Sequence, residues 1–283
     1  MAKVRRGTSG SGIAIVTGAA GGIGLELTPL LQQAGYQVVG VDLTADMVTK
    51  ANASRGIEGV TAVGCDLTDD ASLRKLIERI QNEFASELDI FVANAGIIIP
   101  GDVGEISDDQ AVKHLRIMLE ANVRILNAVT PILRAKNSGH IMGTISMGGI
   151  IAMPSSAVYS AAKAGMRAYF QALNAELVHT GVAVSGIFPS AVDTPMLYFE
   201  ATHGGSVLNF IGKVHHPKAI AEKYMKAIRK PKLENYVPFS DSLTTRLVNF
   251  WPWSIPKLLP LFVKGGEKGR AKYIATSANR PKD

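Results

Sequence analysis

The chain has 283 residues, 47% hydrophobic and 19% charged, which is enough apolar material for a sizeable core and excludes a globally disordered polymer. A single cysteine, Cys65, excludes an internal disulfide framework and any multi-cysteine zinc site. The net charge of +6 belongs to the ends: residues 1–11 carry +3 and residues 264–283 carry +4, leaving −1 on the body, which argues against a nucleic-acid partner.

In chain order the pattern is strand, turn, helix, repeated. Apolar runs at Ile13–Val16, Gln37–Val41, Val60–Gly64 and Leu88–Val92 predict four strands. Helices are predicted over Gly22–Ala34, stopped by Gly35, and over Asp69–Ser86. A long helix is expected from Asp108 to Leu133, a strand from His140 to Ile145, a second long helix from Ser156 to His179 and a strand from Val182 to Phe188. Short apolar runs alternating with helices imply a doubly wound parallel sheet with helices on both faces. Beyond it, Thr194–Val214 reads as a mobile loop with room for one short helix, Pro217–Arg229 as a helix and Tyr236–Phe239 as an edge strand. The expected organisation is a basic N-terminal tail over 1–11, one α/β domain over 12–245 with a substrate loop at 194–216, and a C-terminal extension over 246–283 packing on that domain.

No secretory signal is visible, and Leu247–Val263 is too short and too broken by Pro252, Pro256, Lys257 and Pro260 to span a bilayer. A soluble cytoplasmic protein is the simplest reading. Trp251, Trp253 and this apolar stretch read as a packing helix or subunit contact, with a substrate lid or a weak peripheral lipid contact as the alternative. His215-His216 lacks a third spaced ligand, so no metal is expected.

Thr17-Gly18-Ala19-Ala20-Gly21-Gly22-Ile23-Gly24 joins the first strand to the first helix. Glycines there let backbone approach a pyrophosphate, and the free N–H groups of the helix start favour its charge. Asp42 ends the second strand, where a carboxylate accepts ribose hydroxyls and repels a 2′-phosphate. No Lys or Arg lies within the glycine turn or just after Asp42, so NAD is expected over NADP. The alternative for Asp42 is a helix N-cap. Asp66 is placed to meet the adenine amino group or to make a turn, and Asn94-Ala95-Gly96 puts polar backbone at the carboxyl edge of the sheet, where ligands bind.

Tyr159-Ser160-Ala161-Ala162-Lys163 sets a phenol and an ammonium one helical turn apart, with Ser146 thirteen residues earlier and Asn122 in the preceding helix. Together with the glycine turn, Asp66, Asn94-Ala95-Gly96, Pro189 and Thr194, these residues resemble the short-chain dehydrogenase/reductase family, in order, from about residue 12 to 195. The resemblance implies a Rossmann-type fold of about seven parallel strands, a nicotinamide cofactor and a homodimer or homotetramer built through the two long helices. It also implies a catalytic set of Asn122, Ser146, Tyr159 and Lys163. The cofactor would meet Gly18, Gly22, Ile23, Gly24, Asp42, Asp66, Leu67, Asn94, Ala95, Gly96, Tyr159, Lys163, Pro189, Val192 and Thr194. Two departures from the family pattern are Ser190, where glycine usually follows the proline, and Ala93 before Asn94.

Hydride transfer between an alcohol carbon and nicotinamide requires a proton to move at the oxygen, and Tyr159 is the expected acid/base. Ionising a phenol at neutral pH costs about 4 kcal/mol. A cation about 4 Å away, at an effective dielectric near 20, is worth about the same, so Lys163, helped by the positive charge of an oxidised nicotinamide, is expected to offset the cost. Ser146 would hold the substrate oxygen, and Asn122 a water linking Lys163 to solvent. The apolar residues of 196–214 point to a hydrophobic alcohol or ketone, alicyclic, steroid-like, terpenoid or lipid. Two alternatives are an NADPH-dependent 3-oxoacyl-type ketone reductase and a catalytically silent NAD-binding sensor or scaffold.

Overall fold

A computed structural model describes residues 7–8, 11–251, 253 and 255–277. Most of the N-terminal tail expected over 1–11, the last residues of the basic C-terminal tail and Pro252 lie outside the described residues. The chain runs β1 (Gly12–Thr17), α1 (Gly22–Gln33), β2 (Tyr36–Asp42), α2 (Ala45–Ala53), β3 (Val60–Gly64), α3 (Asp70–Arg79) and β4 (Leu88–Ala93). It continues through α4 (Asp108–Leu115), α5 (Ala121–Lys136), β5 (Gly139–Thr144), α6 (Ala157–Glu176) and β6 (Val182–Pro189). All seven strands, β7 being Glu234–Val237, pair in parallel in the order β3-β2-β1-β4-β5-β6-β7. The order reverses between β1 and β4, and this opens a crevice at the carboxyl ends of the strands.

The strands are apolar on both sides because both faces are covered. Ile15, Phe91 and Ile141 face Leu126, Val129 and Phe170 of α5 and α6. Val16, Ile90 and Met142 face Leu27 and Leu31 of α1 and Ile220 and Tyr224 of α8 (Pro217–Arg229). Each such side chain, buried, contributes about 1.5–3 kcal/mol. The long helix expected from Asp108 is α4 and α5 joined by a π-helical turn over Arg116–Glu120.

Beyond β6 the details differ from expectation. Thr194–Val214 contains the one short helix allowed for it, α7 (Pro195–Thr202), capped by Thr194, and adds a 3-10 turn at Val207–Phe210. The edge strand lies two residues earlier than expected, because Pro238 has no N–H for the ladder and Phe239 already starts α9 (Phe239–Asn249). The boundary drawn at 245/246 therefore falls inside a helix. The C-terminal helix α10 (Ile255–Ser277) lies across the 3-10 turn. A Cβ at Gly266 or Gly269 would overlap the carbonyl oxygens of Val207 and Phe210, so only glycine allows this approach. Tyr273 is buried there, its ring 5.4 Å from that of Phe210 and its hydroxyl donating to Asp193 Oδ1 at 2.8 Å.

Candidate active site

The glycine turn is built by close backbone approach. Gly18 has φ +66°, and a Cβ there would stand 2.9 Å from Ala95 Cα. Gly24 does not line the cavity; its bare Cα lets α1 pack against the Gly18 carbonyl. No side chain caps α1 and its first turn carries no acid, so its N–H groups face the crevice as an anion cradle. Thr17 Oγ1 accepts from the Asn94 and Ala95 backbone N–H groups at 3.0 and 3.1 Å. The Asn94 amide donates to the Thr17 and Gly18 carbonyls, and its oxygen accepts from Thr144 at 2.8 Å. Asn94 thus ties the ends of β1, β4 and β5 together.

Asp42 is not a helix N-cap. Thr44 caps α2, while the Asp42 carboxylate accepts from the backbone of Ala20 at 3.0 Å and of Leu43 at 2.9 Å. Asp66 makes the turn considered for it: Oδ1 accepts from the hydroxyl and N–H of Thr68, which holds the carboxyl below its ordinary range. Both aspartates line a cavity of about 670 Å³ that continues past Asn94–Gly96 to Ser146, Tyr159 and Lys163, and to Pro189, Val192 and Thr194.

Ser146 follows β5 in a strained conformation, φ +84°, rare for a residue with a Cβ. Its hydroxyl accepts from the Gly148 N–H at 3.1 Å, and Ser146 lines the same cavity wall as Tyr159. Lys163 is buried, its Nζ donating to the Thr144 carbonyl at 2.8 Å and standing 5.7 Å from the centre of the Tyr159 ring. Burial pushes the phenol up to about 12 and pulls Lys163 down to about 8.

Asn122 is not brought to the cavity. Its amide donates to the Ile117 and Met118 carbonyls, which the π-helical turn releases from the helical ladder, and its buried Oδ1 has no protein partner. The Ser190 hydroxyl donates to the Val237 carbonyl at 3.3 Å, so the serine replacing glycine closes the sheet edge. His216 accepts from the Lys218 N–H at the start of α8. Of the apolar loop residues, Met196 and Leu197 line the cavity, whereas Phe210 packs under α10 and Tyr198, Phe199 and Ile211 are exposed.

Sequence reasoning missed Glu200. It is 6% exposed on α7, lines the cavity, and accepts from the Asn209 amide at 2.7 Å and from the Ser206 backbone N–H. Burial pushes its carboxyl up to about 7, and its charge pushes the Tyr159 phenol further up. The available signal was one acid in the otherwise uncharged stretch Pro195–Thr202.

Comparison with known proteins gives the same direction. Residues 12–203 match the family model described as short chain dehydrogenase. A 1-deoxy-11-beta-hydroxypentalenate dehydrogenase of Streptomyces exfoliatus is 35% identical over 191 residues, 65% of this chain and 68% of that one. The fold matches a Sphingobium yanoikuyae short-chain dehydrogenase in complex with NADPH (20% identity, TM-score 0.72, 87% of this chain and 95% of that one). It matches equally a Burkholderia phymatum short-chain dehydrogenase/reductase in complex with NAD (19% identity, TM-score 0.73, 87% and 94%). With the match spanning β1 to α7, and so every strand end around the crevice except that of β7, the chain belongs to the short-chain dehydrogenase family of oxidoreductases.

Proposed function

We propose that this chain is an NAD-dependent oxidoreductase that interconverts a secondary alcohol and a ketone on a hydrophobic, alicyclic or lipid-like substrate. The observation that carries the reading is the convergence of Ser146, Tyr159 and buried Lys163 on the wall of a cavity that begins at the glycine turn. A dinucleotide fits the residues present: the uncapped start of α1 and the bare Cα of Gly18 form its pyrophosphate cradle, and Asp42 stands at the far end. When bound, nicotinamide supplies the hydride acceptor or donor.

Tyr159 moves the proton. In ketone reduction the phenol, kept protonated by burial, gives its proton to the carbonyl oxygen, and in alcohol oxidation it takes one back. Ser146 orients that oxygen toward the phenol. Lys163, fixed on the Thr144 carbonyl, lies where its charge stabilises the phenolate as it forms. Asn122 acts at one remove, by holding the helix that backs the site. Asp42, with no cation in the turn beside it, favours NAD. The apolar wall of Ile97, Ile98, Met153, Met196 and Leu197 supports a hydrophobic substrate, as does the name of the Streptomyces relative, which acts on an alicyclic alcohol. We extend the proposal to a homodimer or homotetramer joined through α5 and α6.

The test is a screen of secondary alcohols at alkaline pH with NAD and NADP in parallel. Turnover of alicyclic, terpenoid or long-chain alcohols with NAD is expected. Preference for NADP would overturn the role of Asp42, and turnover restricted to sugars or polar acids would overturn the substrate class.

A further inference from the structure

Helix α9 shows an apolar stripe to solvent. Of its polar side chains, Ser242 is fully buried and half-buried Arg246 pairs with Glu234 of β7 at 3.0 Å, while Ser240 and Thr244 are exposed. Phe239, Leu243, Leu247 and Phe250 recur at the spacing of one helical face and are all exposed, Phe250 by 75%. The apolar surface continues along the chain through Trp251, Trp253 (68% exposed), Leu258, Leu261 (74%) and Phe262. A helix that displays a continuous apolar stripe is built for a second surface, and isolated exposed residues do not account for it.

Charge identifies that surface. Residues 239–272 carry six basic groups, Arg246, Lys257, Lys264, Lys268, Arg270 and Lys272, against two acidic ones, Asp241 and Glu267, a net charge of +4. Lys257, Lys264, Lys268 and Lys272 are exposed, whereas Arg246 is tied to Glu234. Both tryptophans of the chain lie in this stretch, the residue type that settles at the boundary between lipid headgroups and acyl chains. Two copies meeting through the same patch would set these lysines against each other. Among the described residues no helix is long and apolar enough to cross a membrane.

We propose that residues 239–264 form a docking surface for an anionic lipid bilayer, with the aromatic and leucine side chains entering the interface and the lysines meeting the headgroups. This does not depend on which substrate the cavity takes.

The test uses the full chain with unilamellar vesicles of phosphatidylcholine alone or of equal parts phosphatidylcholine and phosphatidylglycerol, read by flotation and tryptophan fluorescence. Because Trp251 and Trp253 are the two tryptophans, the emission reports on this segment alone. Binding to the anionic vesicles with a blue shift, weakened by added salt, is expected. Lys257→Gln and Lys264→Gln, both at exposed positions, should each weaken binding about fivefold, from the ~1 kcal/mol that one cation contributes near such a surface. Phe250→Ser with Leu261→Ser should weaken it by more than about tenfold. Absence of binding, equal binding to neutral vesicles, or lysine variants that bind undiminished would overturn the proposal. So would a blue shift that follows protein concentration without vesicles together with a doubled mass, which would identify a second copy as the occupant.

Discussion

Glu200→Gln tests whether the carboxylate facing Tyr159 is held against its own preference. Burial raises its carboxyl from 4.5 to about 7. The folded chain therefore holds this proton more tightly than the unfolded chain, so the group's contribution to stability is full below about pH 4.5 and is lost as the pH rises to about 7. At about 1.4 kcal/mol per unit, the loss reaches about 3 kcal/mol by neutral pH. Glutamine has no charge to desolvate, but its NH2 must face either the Asn209 amide or the Ser206 N–H, both donors, which costs roughly 1–2 kcal/mol. The variant is thus expected to be about 1–2 kcal/mol more stable than the parent above neutrality and to lose that advantage near pH 5. Thermal unfolding of both chains across this range, followed by circular dichroism, measures the difference directly. A gap in Tm that stays constant with pH would refute the reasoning. The same substitution removes a negative charge acting on the phenol, so the pH profile of alcohol oxidation should move to lower pH.

Tyr159→Phe should cut turnover by about 10²–10⁴-fold while leaving NADH binding, followed by fluorescence, close to that of the parent; equal loss of both in a folded variant would remove the acid/base role. Ser146→Gly relieves a φ of +84° and should hold or raise Tm while lowering turnover at least about tenfold, a split that kinetics and calorimetry on one preparation would reveal. Gly269→Val forces a side chain into the Phe210 carbonyl, and a loss of about 1–3 kcal/mol with a raised KM is expected from denaturation and steady-state rates. An unchanged Tm would show that α10 does not press on the 3-10 turn.

The parallel sheet and the glycine turn were legible because buried strands and phosphate-binding turns leave local signatures. Pro217–Arg229 matched to the residue, since Pro217 at the first turn and the apolar spacing of Ile220, Tyr224 and Ile228 act within one helix. The segment after Thr194 was not legible, because its helix and turn are ordered by Gly266, Gly269 and Tyr273, more than fifty residues later. Glu200 was missed for the same reason: what makes it unusual is burial, which arises from packing against Gly205 and Asn209. The Tyr159–Lys163 pair shows the limit from the other side. Spacing found both residues, yet their energetics depended on how deeply the fold sinks them and on Thr144 claiming the ammonium.

The hydrogen bond from Tyr273 to Asp193 ties the final helix to the residue before Thr194, and Thr194 touches the glycine turn as well as capping α7. Swinging α7 outward to admit or release a molecule must therefore also peel away a rod of 23 residues. Two enzymes with the same serine, tyrosine and lysine but different final helices would then exchange substrate and product at different speeds, and their turnover numbers would diverge without a change to any reacting group.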